Sequence, residues 1–189
     1  MSEQTENDSG DNITILPYVK INPNDYSLSD DVLHGLWDQI VKENLVSVVF
    51  HDGKLNDAQA FIDYLKSDRN LPIFVFVNHK IQAMAWLNSI MNNYAFGHFL
   101  MLSEAWGKYT HAIGSKIIDY WFSFPGLHGY LFDLILGLVP DDNMRAHRFV
   151  KGLGFIEVGT IPKMLYNAKM ADFKTAKLFY ILNRKNEKD

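Results

Sequence analysis

Between residues 106 and 118 the chain reads Trp106, Gly107, Lys108, Tyr109, Thr110, His111, Ala112, Ile113, Gly114, Ser115, Lys116, Ile117, Ile118. A glycine-bearing turn that runs straight into a helix leaves backbone N–H groups without intrahelical partners, and the helix dipole adds partial positive charge at the same place. That combination suits a phosphate or pyrophosphate. Every strand-to-helix turn has such groups, so solvent can fill the role equally well. A second informative segment runs from 143 to 159 and holds Asn143, Ala146, Leu153, Gly154, Phe155 and Gly159. Packing alone accounts for Ala146, Leu153 and Phe155, and Gly154 reads as a helix C-cap. Glycine spacing gives neither a Walker A nor a Rossmann fingerprint, and the Asp, His and Ser residues lie outside any triad pattern. Asp141 and Asp142 read as helix N-terminal charge rather than metal ligands, and no metal site is expected.

The elements that position these segments follow from hydrophobic period and turn signals. Residues 13–20 predict an edge strand, because Pro17 cannot donate to a ladder. Over 27–44, Val32, Leu33, Leu36, Trp37, Ile40 and Val41 trace one face of a helix. Asn56 and Gln59 have capping-box spacing for a second helix, with Ala60, Phe61, Tyr64 and Leu65 on its apolar face, ended by 70–72. Runs at 73–77 and 81–90, separated by the polar turn 78–80, predict a hairpin that a third strand at 96–103 joins. Helical spacing returns over 112–124 and stops at Pro125 and Gly126. The nearly continuous apolar run 131–139 predicts a strand buried on both faces. A short helix over 143–153, a strand at 155–161 and a hairpin from 164–168 and 177–182 complete the chain. This order is an α/β layout that mixes meander and crossover connections.

Asn143, Ala146, Leu153, Gly154 and Phe155 match, position by position, the spacing found in the GCN5-related N-acetyltransferase superfamily, which this chain resembles over roughly 73–182. The resemblance implies the acyl-CoA N-acyltransferase fold: a mixed central sheet splayed between its fourth and fifth strands, with helices on both faces. It also implies acetyl-CoA as co-substrate. The pantetheine arm would pair with backbone near Leu102 and Glu104, the pyrophosphate would sit on 110–115, and Asn143 would help hold the cofactor. The family's pyrophosphate loop, Arg/Gln-x-x-Gly-x-Gly/Ala, falls on Tyr109, Ala112 and Gly114 in the preferred register. A register beginning at Trp106 uses Gly107 and Lys108 but puts Tyr109 and His111 where small residues belong. The cofactor-binding set is thus Leu102, Glu104, Tyr109, Thr110, His111, Ala112, Ile113, Gly114, Ser115 and Asn143.

Such enzymes need a base to take a proton from the ammonium nucleophile and an acid to protonate the departing thiolate. His98 resembles the place of the glutamate base in the histone-acetylating branch, and an imidazole pKa of about 6.5 suits neutral pH. A structural strand histidine is the plainer reading of the same residue. Glu104 is the second candidate, though a solvated carboxylate explains it too. Where many relatives carry a tyrosine acid this chain has Val150, which leaves Tyr166, Tyr109 or water for that role. His147 and Arg148 would reach the 3′-phosphate of CoA, and a solvated helix face explains them equally.

The chain has 189 residues, 48% of them hydrophobic, enough for one core. A leader at 1–12, expected to be disordered, precedes a single domain at 13–183 and a polar tail at 184–189. A net charge of −4 speaks against general nucleic-acid binding. The absence of cysteine rules out acyl-Cys chemistry and disulfides. The leader lacks an apolar signal core and no run is long enough to span a bilayer, so a cytoplasmic protein without membrane contact is expected. The function these features imply is acetyl transfer from acetyl-CoA to a primary amine, on protein or small molecule, in a ternary complex. The alternative is an inactive CoA- or protein-binding module of the same fold, and exchange of carboxy-terminal strands offers a route to a homodimer.

Overall fold

A computed structural model describes residues 11–186 apart from 24 and 128. Among these residues, seven strands form one sheet: β1 (Ile13–Pro17), β2 (Leu71–Val77), β3 (Lys80–Met91), β4 (Tyr94–Met101), β5 (Leu134–Pro140), β6 (Ile156–Asn167) and β7 (Asp172–Leu182). Their spatial order is β1-β2-β3-β4-β5-β7-β6. All neighbours are antiparallel except β4 and β5, which run parallel. The helices are α1 (Asp30–Lys42), the single turn α2 (Val46–Val49), α3 (Ala58–Lys66), α4 (Thr110–Trp121) and α5 (Met144–Gly152). No helix among the described residues is long and apolar enough to cross a membrane.

The sheet separates two cores. On one face Leu33, Leu36, Trp37 and Ile40 of α1 and Phe61, Ile62 and Leu65 of α3 pack against Phe74, Met84, Trp86 and Leu100. On the other, Ile113, Ile117 and Trp121 of α4 and Val150 of α5 pack against Val75, Ala85, Ala95, Ile135 and Phe179. Strand alternation sends successive side chains into each core in turn, which is why β2 is buried along most of its length. β5 differs from the expected doubly buried strand. Ile135, Gly137 and Val139 are buried, while Leu134, Leu136 and Leu138 on the opposite face are only half-covered, because α1 and α3 lie over β2 to β4.

Three further expectations change. The cap of α3 is Asp57, whose carboxylate accepts from the Ala60 N–H at 2.8 Å, not the pair Asn56 and Gln59; Gln59 bonds instead to Asp63. The runs 155–161 and 164–168 are one long strand, β6, whose register against β7 slips between Ile161 and Leu165. Pro162, which has no N–H, and Lys163 at φ 52° occupy that slip. Of the leader, Asp11 and Asn12 are described and both bond to Asn78; 1–10 lie outside the described residues, as do 187–189 of the tail.

The sheet opens between β4 and β5. Tyr94, Ala95 and Phe96 face Leu134, Ile135 and Leu136, and beyond that point β4 runs on to Met101 and β5 to Pro140 with no further pairing among the described residues. Phe99, just past the opening, packs its ring on Trp121 at 5.1 Å and on Phe149 at 5.2 Å, so aromatic volume from α4 and α5 holds the strands apart.

Candidate active site

β4 leads through the turn Ser103–Ala105 to Gly107, whose φ of +84° is a left-handed conformation that glycine adopts without penalty. The Gly107 N–H then donates to Thr110 Oγ1 at 2.8 Å, and that hydroxyl donates to the Ala105 carbonyl at 3.2 Å, closing the entry into α4. α1, α3 and α5 are capped by the side chains of Ser29, Asp57 and Asn143. Tyr109 at the N-cap of α4 makes no side-chain cap bond, so the first N–H groups of this helix still need partners.

A cavity of about 420 Å³ opens there, lined by Trp106, Gly107, Thr110, His111, Arg145, Arg148, Phe149 and Gly152. Arg145 lies over the Trp106 ring at 5.1 Å, and His111 Nε2 meets the Gly152 carbonyl at 3.1 Å. Among the described residues neither Arg145 nor Arg148 is paired with a carboxylate. Two guanidinium groups and an open helix N-terminus give this cavity the charge and donors that suit a multiply charged anion.

The geometry corrects the loop register. A Cβ on Gly114 would stand 2.7 Å from a Leu153 methyl and 3.0 Å from the Phe149 ring, so this glycine serves the close packing of α4 on α5. Ile113 is buried in the core, Ala112 is exposed, and Ser115 touches His111. Of 110–115 only Thr110 and His111 line the cavity. The turn glycine is Gly107, which fits the register that begins at Trp106. Tyr109 is drawn aside beneath Lys108, at 4.6 Å from its ring, and Lys108 pairs with Asp11 at 2.8 Å. Hydrogen bonds from Lys108 and Asn78 hold the Asp11 carboxyl down to about 2.

The backbone assignments also change. The Leu102 N–H donates to the Gln82 carbonyl of β3 at 2.9 Å, away from the opening, and is therefore not available to a molecule lying between β4 and β5. Glu104 is exposed and accepts from Gln82 Nε2 at 3.0 Å. Neighbouring Ser103 donates its N–H to Glu43 at 2.7 Å. His147, expected to face a phosphate, is buried and meets the Pro140 carbonyl at 3.1 Å, tying α5 to β5. Sequence reasoning missed Arg145. Its spacing of three from Arg148 puts both on one helix side, a signal that was readable.

His98 lies on the stretch of β4 that has left β5. Its ring stacks on Trp86 at 4.8 Å with planes 8° apart, and Nε2 is 3.0 Å from Asn88 Oδ1. The ring is half-buried, and the hydration it loses there, aided by the nearby His51, pushes its pKa down to about 4. His98 is therefore not the neutral-pH base expected of an ordinary imidazole: a ring this weak does not take a proton from a free ammonium ion.

A second cavity, of about 290 Å³, is lined by Ser47, Val48, His51, Pro140, Asp142, Asn143, Leu165, Asn167 and Lys174. The β6–β7 hairpin closes over it: the Ala168 N–H donates to the His51 carbonyl and His51 Nδ1 meets the Tyr166 carbonyl, each at 2.8 Å. Leu165 and Asn167 face inward, so alternation turns Tyr166 outward, where its ring packs on Phe173 at 5.3 Å. The expected acid role therefore loses its geometry, because Tyr166 touches the cavity wall through its main chain. Asn143 lines this second cavity rather than the cationic one, and its side chain accepts from the Ala146 N–H at 3.0 Å. Val150 is buried in the α4–α5 core.

No family model matches the chain, and no curated protein matches it at a significant level. Solved structures do. Spermidine N-acetyltransferase from Vibrio cholerae, solved with CoA and spermine, is similar with a TM-score of 0.69 at 16% identity, over 92% of this chain and 96% of that one. The ribosomal-protein-S5-alanine acetyltransferase from Vibrio fischeri is similar with a TM-score of 0.67 at 15% identity, over 86% and 93%. An acetyltransferase from Salmonella typhimurium that modifies the N-terminal serine of a 50S ribosomal subunit protein gives 0.67 at 10% identity, over 82% and 91%. The chain thus has the fold of the GCN5-related N-acetyltransferases.

Proposed function

We propose that this protein is an N-acetyltransferase that passes the acetyl group of acetyl-CoA directly to a primary amine, with both substrates bound together. The observation that carries the reading is the meeting of an uncapped α4 N-terminus with the unpaired Arg145 and Arg148 beside an opened sheet. In this reading the phosphates of CoA take the cationic cavity, the pantetheine arm follows the gap between β4 and β5, and the amine enters from the cavity beyond Asn143. Holding the two reactants in one geometry supplies much of the acceleration.

The amine nitrogen attacks the thioester carbonyl carbon; the C–N bond forms, the C–S bond breaks, and the thiolate leaves. The amine arrives as the free base, since His98 at about 4 is far below an alkylammonium of about 10.4. His98 accepts the proton only as the nitrogen becomes positive in bonding. An imidazolium this acidic then hands the proton to a thiolate whose conjugate acid lies near 8.5. One ring covers both proton transfers, and neither the tyrosine missing at Val150 nor Tyr166 is required.

The acceptor is a monoamine. Asp142, the carboxylate of the second cavity, is held by Lys174 at 2.5 Å, which leaves no excess negative charge for a polyamine. The test is thiol release from acetyl-CoA with spermine, a lysine peptide, and peptides bearing free N-terminal Ala or Ser. Turnover of a monoamine above spermine, cut by about a hundred-fold in His98→Gln, is expected. Acetyl-CoA binding without turnover of any amine would instead support a CoA-binding module, the reading that Tyr109 and His111 in place of small loop residues favour.

A further inference from the structure

His98 does not stand alone on its face of the sheet. Asn88 lies on β3, two residues past Trp86, and its Oδ1 is 3.0 Å from His98 Nε2. The other end of the same amide, Nδ2, donates to the hydroxyl of Tyr64 on α3 at 3.4 Å. An amide whose nitrogen is spent on Tyr64 turns its oxygen to the imidazole, and an oxygen there accepts only from a protonated Nε2. A neutral imidazole with its proton on Nε2 has its lone pair on Nδ1. Three elements, α3, β3 and β4, thus converge on the tautomer of one ring. Stacking on Trp86 fixes the ring plane, and the edge contact of Tyr64 with Trp86, at 6.1 Å and 89°, fixes the hydroxyl.

We propose that Asn88 and Tyr64 are positioning residues that lock His98 in the Nε2–H tautomer, so that Nδ1 is the atom that accepts the proton of the acceptor amine. The inference rests on His98 as the proton carrier of the proposed acetyl transfer, but the lock itself is a property of the ring. Besides the Tyr64 hydroxyl behind the Asn88 amide, the titratable group acting on the ring among the described residues is His51, from the segment that follows α2. A proton taken at Nδ1 makes an imidazolium in which Nε2–H still donates to Asn88, so the relay stays in register through the transfer.

Nitrogen NMR of the protein labelled at histidine reads the tautomer without any substrate. The wild type at pH 7 is expected to show His98 with a protonated Nε2 and a bare Nδ1. Tyr64→Phe frees the amide to rotate and Asn88→Ala removes it, so both are expected to give a mixture of tautomers with the stack on Trp86 kept. Asn88→Asp keeps the acceptor and adds charge, and is expected to raise the His98 pKa by at least about one unit. The acidic limb of kcat/KM should move with it, while acetyl-CoA affinity stays unchanged. A wild-type ring protonated on Nδ1, or Asn88→Ala with tautomer and pH profile unaltered, overturns the proposal. A locked ring in a protein that turns over no amine supports the lock and sinks the enzyme reading, so the two failures are separable.

Discussion

On one side of α5, Arg145 and Arg148 have no carboxylate partner among the described residues and share a cavity with an uncapped helix N-terminus. On the other side Lys174 is held by Asp142 at 2.5 Å, and nearby Lys177 is held by Glu157 at 3.1 Å. The two cavities lie a few residues apart in sequence, and Asn143 belongs to one while Arg145 belongs to the other. What distinguishes them is charge balance: two arginines and no carboxylate line the first, one lysine paired with one carboxylate lines the second. Cations left without counter-charges attract a polyanion, whereas a neutralised pair leaves a polar site suited to a small amine.

The largest effect should come from the unpaired side. Arg145→Glu combined with Arg148→Glu replaces two charge-assisted contacts with repulsion and should weaken CoA binding by on the order of a hundred-fold, about 3 kcal/mol. The rise in melting temperature that CoA produces should then vanish. An unchanged rise would break the contrast between the cavities. Gly114→Ala should cost about 1–3 kcal/mol of stability through the clash with Leu153 and Phe149, read in denaturant unfolding, and leave CoA affinity intact. Lost affinity in a folded Gly114→Ala would restore this glycine to the phosphate loop.

His98 gives a stability test with a defined sign. Its folded pKa, about 4, lies below the ordinary 6.5, so between those values the unfolded chain binds more protons than the folded one. Stability from this site is complete above pH 6.5 and is lost as pH falls towards 4. Wild type should lose denaturant midpoint over that window more steeply than His98→Gln; equal slopes would mean the ring is not buried neutral. The smallest effect belongs to the paired side. Lys174→Ala frees Asp142 and should lower KM for spermine by a few-fold, under about 1 kcal/mol, with little change for a monoamine.

Much of this architecture was legible in the sequence. The helical faces of α1 and α4, the hairpin of β2 and β3, and the short helix that follows Asn143 stand where periodicity and turn signals put them. Less legible were features decided by distant contacts. Gly114 has the look of a loop glycine, and only its approach to Leu153, from another helix, shows what it is for. His147 and Arg148 are adjacent, yet one turns into the core and the other lines the cationic cavity, because neighbours on a helix point about 100° apart. Tyr166 failed for the same reason on a strand, where alternation sends its ring outward. The Asn88–His98 contact joins residues on different strands, and no local pattern in the sequence announces it.

The most direct test is a calorimetric titration of the wild-type protein with acetyl-CoA at low and raised salt. One saturable site is expected, with an affinity that falls as salt screens Arg145 and Arg148. A well-folded protein that takes up no acetyl-CoA at either salt would contradict the proposed acetyl transfer.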